Sequence, residues 1–120
     1  MKSLLFLLLL TFASVATAQA QSVAPAPVAD APDKARPVQV VEAACGQCRL
    51  GLPGKSCDLA VRIKDKAYFM EGTGIDSHGD AHAQDGFCNA IRRAEVQGEV
   101  MNNRFVATYF KLLPEGQAGR

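Results

Sequence analysis

The chain has 120 residues, with 13 Lys+Arg against 12 Asp+Glu and a formal net charge of +1, and its 48% hydrophobic content is that of an ordinary globular protein. This near-neutrality argues against a sequence-independent nucleic-acid binder, which needs a net cationic surface to neutralise phosphates. Four cysteines in so short a chain make sulfur chemistry the first question.

The chain opens "MKSLLFLLLLTFASVATAQAQ": a cation at Lys2, an apolar run from Leu4 to Leu10, then small residues in two overlapping A-x-A patterns. This is the form of a secretory signal peptide over residues 1–20, with cleavage after Ala18 or Ala20. The apolar run is too short for a membrane span, and no cysteine stands at the cleavage region to carry a lipid. The expectation is therefore an exported protein, periplasmic or extracellular, with no membrane span once the leader is gone; losing Lys2 leaves 12 cations against 12 anions.

Residues 21–37, "QSVAPAPVADAPDKARP", are rich in Ala and Pro without hydrophobic periodicity, which predicts a disordered, solvated linker. The folded unit is expected over 38–113, followed by a flexible tail at 114–120. A domain of this size buries only about 60% of its unfolded surface and is marginal on its core alone. Some extra constraint is expected, and the cysteines are the candidates.

Within the unit, "VQVVEAA" predicts a first strand from its β-branched residues. "DLAVRI" predicts a second, because Leu59, Val61 and Ile63 alternate with Asp58, Ala60 and Arg62. A tight turn around Asp65 and Lys66 leads to a third strand through Tyr68 and Met70, making a hairpin. The polar, turn-rich "GTGIDSHGDAHAQDG" follows. It runs into "FCNAIRRA", where Phe87 and Ile91, four apart, predict one face of a short helix capped by Asp85, with Arg92 and Arg93 complementing its C-terminal dipole. Two closing strands, "AEVQGEV" and "RFVATYFKLL", are joined at Asn102 and Asn103, which tolerate the positive φ of a primed turn. The aromatic residues Tyr68, Phe69, Phe105, Tyr109 and Phe110 fall on predicted strands and are assigned to the core. The predicted fold is mainly β with one helix, an OB-like five-stranded, partly open barrel in the order β-β-β-α-β-β; Gly98 in mid-strand marks a bend or bulge.

Three chemistries fit Cys45, Cys48, Cys57 and Cys88. Disulfides are the plain reading in an oxidising compartment: four cysteines allow three pairings, and each bridge contributes about 2 to 4 kcal/mol. The second is metal binding, in which "CGQC" with Gly51, Pro53 and Gly54 behind it forms a knuckle and Cys57 and Cys88 complete a tetrahedral site for zinc or copper. The third is a catalytic dithiol at Cys45 and Cys48, weakened because "RLGLPGKS" does not sustain the helix such a motif opens. In "HGDAH", the side chains of His78, Asp80 and His82 are a ligand set for a transition metal; the plain alternative is an exposed turn in which Asp80 or Asp76 caps backbone amides. No nucleophile with an adjacent base is legible, so no catalytic residue is assigned.

The segments "VEAACGQCRLGLPGKSCDLAVRI", "DSHGDAHAQDGFCNAIRRAEVQGEV" and "FVATYFKLLP" resemble a family of small secreted bacterial proteins of unknown function, over Val41 to Pro114. The resemblance implies no activity. It does imply that Cys45, Cys48, Cys57, His78, Asp80, His82 and Cys88 form one recurring constellation. The expected function is a non-enzymatic exported binding or accessory domain, cysteine-stabilised, that offers its loop to an unknown protein or small ligand. The alternatives are a transition-metal handling protein and a thiol–disulfide oxidoreductase.

Overall fold

The structure, a computed structural model, describes residues 14–17 and 26–115. The expected signal peptide therefore lies outside the described residues except for 14–17, and so does the tail beyond Glu115. Among the described residues no helix is long and apolar enough to cross a membrane.

Five strands and one short helix follow in order: β1 (Gln39–Cys45), α1 (Gly46–Arg49), β2 (Leu59–Ile63), β3 (Lys66–Glu71), β4 (Arg92–Met101) and β5 (Arg104–Leu112). The strands close into a barrel in the spatial order β1-β2-β3-β5-β4, with β4 returning to β1 through pairs such as Val41 with Ala94. The pairs are antiparallel except the short parallel contact of β3 with β5 at Met70–Phe105 and Glu71–Val106. This is the OB-like barrel expected, closed rather than partly open.

Period-2 alternation decides what fills it. Val41, Ala43, Leu59, Val61, Met70, Val96, Phe105 and Phe110 point into one core, joined by Phe87 from the loop between β3 and β4. Their strand neighbours Ala44, Ala60, Ala67 and Phe69 face the other way and form a second cluster with Leu50 and Leu52 of the segment after β1. That segment thus folds flat on the outer surface of β1, β2 and β3.

The turns follow the sequence closely. Asn102 and Asn103 have φ of 51° and 60°, and the β2–β3 turn falls on Lys64 and Asp65 with φ of 48° and 68°, one residue before the expected place. Gly98 marks a bulge: the β4–β5 register shifts between Gln97 and Gly98, and a Cβ at Gly98 would overlap the Val106 carbonyl oxygen. The shift leaves Thr108 without a partner on β4, and its carbonyl accepts the Ala29 amide at 2.9 Å.

Residues 28–36, expected to be solvated linker, are instead a strap on the barrel. The Val28 amide donates to the Gly72 carbonyl, and Ala29 bridges to Tyr109. Gln97, only 2% exposed, accepts from the Asp33 amide and donates to the carbonyls of Asp33 and Arg36 at 2.8 to 2.9 Å. A buried amide side chain is tolerable only when its donors and acceptor are matched in this way. Replacing Gln97 with Leu is expected to cost about 1 kcal/mol, because the partners left behind can hydrate. Faster tryptic cleavage after Lys34 is the measurement, and cleavage at the unaltered rate would show that the strap is held otherwise.

The largest correction concerns the helix. No helix forms at Phe87 to Ala94; the segment up to Asn89 is a run of turns, with Gly86 bonding to Ala83, Cys88 to Ala81, and Asn89 and Ala90 to Gly86, and β4 begins at Arg92. The Asn89 side-chain amide also donates to the carbonyls of His82 and Ala83, the kind of local bond that competes with a helical ladder. Asp85 therefore caps nothing, Ile91 is exposed while Phe87 is buried, and Arg92 and Arg93 begin β4. The guanidinium of Arg92 donates to the carbonyls of Asp85 and Leu113. Among the described residues the one helix is a single turn directly after β1, on the C-x-x-C segment where the sequence disfavours one. Gly51, at φ 72°, follows its end.

Candidate metal centre

Cys45 ends β1, Cys48 stands on α1, Cys57 precedes β2 and Cys88 lies in the loop before β4. Distinct backbone bonds gather them. The Cys45 amide donates to the Phe87 carbonyl at 3.0 Å, the Gly46 amide to the Asp58 carbonyl at 2.8 Å, and Arg49 Nε to the Cys88 carbonyl at 3.0 Å. Each bond lies one residue from a sulfur or on a cysteine's own backbone. Gly46 is required for the approach, since a Cβ there would stand 2.7 Å from the Phe69 ring and 2.9 Å from Leu52.

All four sulfurs lie within 4.8 Å of one another. Cys48 Sγ and Cys57 Sγ are 3.7 Å apart, and all four cysteines are free. A zinc ion bound by four thiolates at about 2.3 Å has tetrahedral edges of about 3.8 Å, so the spacing is compatible with ligands around one ion. It is well beyond a disulfide bond of about 2.05 Å. The Cys48 amide points at Cys45 Sγ at 3.3 Å, the expected knuckle contact.

Protons are unequally shared among the sulfurs. Burial pushes the Cys45 thiol up, but donation from Cys48 (thiol and amide), the Cys57 thiol and the Gln47 amide outweighs it, and the net shift is downward. Cys48 is pushed up to about 12, chiefly because its proton is engaged by Cys45 and Cys57. Cys88 rises to about 11, through burial first and then the Cys57 thiol. A divalent cation binding to these sulfurs would take them as thiolates and release protons as it binds.

Two residues that the sequence reading passed over hold the knuckle. Gln47 Nε2 donates to Asp58 Oδ2 at 2.6 Å while Gln47 Oε1 accepts the Asp58 amide at 3.0 Å, locking the C-x-x-C turn to the residue after Cys57. The available signal was their placement, one between two cysteines and one directly after a third.

The histidines go elsewhere. Among the described residues the only close metal-ligating group is the four cysteines, and His78, Asp80 and His82 do not join it. Asp80 Oδ1 accepts the His82 amide at 2.9 Å, the turn-capping role that was the plain alternative, and both side chains are exposed. His78 is half-buried beside Phe110, with ring centroids 4.5 Å apart, and its Nε2 meets Thr73 Oγ1 at 2.8 Å. Burial lowers its pKa from the usual 6.5. The unfolded chain therefore takes up a proton first on acidification. The stability from neutral His78 is complete above about pH 6.5 and is lost as pH falls from there through the folded value. His78→Gln is expected to flatten that part of a plot of Tm against pH; an unchanged slope would assign the acid sensitivity to other groups.

A family model described as a family of unknown function (DUF6370) matches residues 39–113. No curated protein and no solved structure matches the chain.

Proposed function

The chain belongs to this family of unknown function (DUF6370) by a match that spans the whole barrel, and from that premise we propose an exported OB-like binding or accessory domain whose loop end is organised by one zinc ion on Cys45, Cys48, Cys57 and Cys88. The observation that carries the reading is the mutual approach of the four sulfurs within 4.8 Å. Four thiolates with no site left for water make a closed, structural centre. Such a centre would add a second tie between three segments that backbone bonds already bring together, and supply the constraint a domain this small needs. Soft sulfur donors also suit copper(I) or iron; a tetrahedral set of four sulfurs suits zinc and iron alike, and elemental analysis separates the three. A multinuclear iron–sulfur cluster needs its ligand sulfurs spread wider, around bridging sulfides. The leader-like N-terminus supports export, and bound zinc would shield the thiols in an oxidising space.

A catalytic dithiol at Cys45 and Cys48 fits less well. An attacking thiolate must be reachable, whereas Cys45, the sulfur whose thiolate the surroundings favour, is the buried one.

Elemental analysis of the chain purified without a histidine tag is the test, with one zinc per chain expected. Absence of stoichiometric metal after reduction and reconstitution would falsify the reading.

A further inference from the structure

The four ligands are not equivalent. Cys45 is fully buried at the end of β1 and Cys88 is half-buried, whereas Cys48 and Cys57 are both exposed and their sulfurs are 3.7 Å apart. Any reagent arriving from solvent meets these two. They also stand either side of the segment 49–56, which contains Gly51, Pro53 and Gly54 and is mostly exposed. That loop is short enough for its ends to close on each other with little movement, while Cys45 is fixed by β1 pairing on one side and the Phe87 carbonyl on the other.

We infer that the Cys48–Cys57 edge is a redox-modifiable face of the centre, at which an external disulfide, small or protein-borne, oxidises the two exposed ligands to a Cys48–Cys57 disulfide and expels the zinc. The inference rests on the zinc reading above. One exposed thiolate attacks a sulfur of the disulfide RSSR, forming a mixed disulfide and releasing RS⁻. The second exposed thiolate then attacks the cysteine sulfur of that mixed disulfide and expels the second RS⁻. Two electrons pass from the two cysteines to RSSR, and the zinc leaves as Zn²⁺ with its oxidation state unchanged. Cys45 and Cys88 remain as a two-sulfur remnant that takes up protons from water. Reduction and fresh zinc reverse the sequence. The protein would thus exist as a zinc form and a disulfide form, selected by the thiol–disulfide balance of its compartment.

The test treats the zinc-loaded chain with oxidised glutathione, follows zinc with a chromogenic chelator, and alkylates the remaining thiols for peptide mapping. The expected first product has lost one zinc per chain, carries a Cys48–Cys57 bridge and retains alkylatable Cys45 and Cys88; dithiothreitol with zinc restores the starting form. Zinc that stays bound at full exposure to the oxidant, or a first bridge that includes Cys45 or Cys88, overturns the inference and leaves the zinc reading standing. A chain that takes up no zinc at the outset overturns both.

Discussion

Cys88→Ser is expected to lose stoichiometric zinc and to lower Tm by about 15 °C or more, measured by thermal unfolding of the zinc-treated variant beside wild type. Loss of a structural metal is one of the few single changes that cost above about 4 kcal/mol, and a domain of this size loses about 4–8 °C per kcal/mol. Cys88 is also the ligand most distant in sequence, so its removal frees the loop before β4 from the knuckle after β1. Wild type treated with a strong chelator should melt with the variant, and added zinc should raise Tm for wild type only. An unchanged Tm in both comparisons would mean that the sulfurs adjoin each other without holding the domain.

The second large effect touches no ligand. Gly86 is packed so that a Cβ would overlap the carbonyl oxygens of Asp80 and Ala81, which are backbone atoms with little freedom to retreat. Gly86→Ala is therefore expected to open the turns at residues 80–90 and shift Cys88, which bonds to Ala81 through its own amide. Overpacking of this kind costs about 1–3 kcal/mol, and misplacing a metal ligand through its support costs about 10–100-fold in affinity. Competition with a chromogenic zinc chelator measures the second quantity. Gly74→Ala is the control, because a Cβ there meets only Ser77 Oγ at an ordinary 3.7 Å. Equal zinc affinity in the two variants would separate the loop's packing from the centre.

The strands were legible because alternation in "DLAVRI" and the two asparagines at 102 and 103 encode their geometry locally. The helix was misplaced for an equally local reason: Phe87 and Ile91 carry helical spacing, but Gly86 and Asn89 commit the segment to turns, and the C-x-x-C turn is helical for only four residues. The strap was illegible because its attachment depends on Gln97, 64 residues from Asp33, and on the Thr108 carbonyl freed by the bulge, farther still from Ala29, both unmarked by composition. At the candidate site the cysteines could be named but not paired, since spacing along the chain does not fix distance through space. "HGDAH" looked like a ligand set on residue types alone; Asp80 spends its carboxylate on a backbone amide and His78 turns to Thr73.

The seam between β1 and β4 sets the order of assembly. Residues 39–43 pair with 92–96, 49 to 57 positions later, so the first strand synthesised has a permanent neighbour on one side only until the fourth is available. The last thiol, at position 88, reaches its companions just before that same stretch. Ring closure and the gathering of the four sulfurs thus fall together near the end of the search, and contacts this remote in sequence make for unhurried refolding. Until then β1 is a bare edge with three cysteines beside it, and this is the interval in which the chain is most open to mispairing.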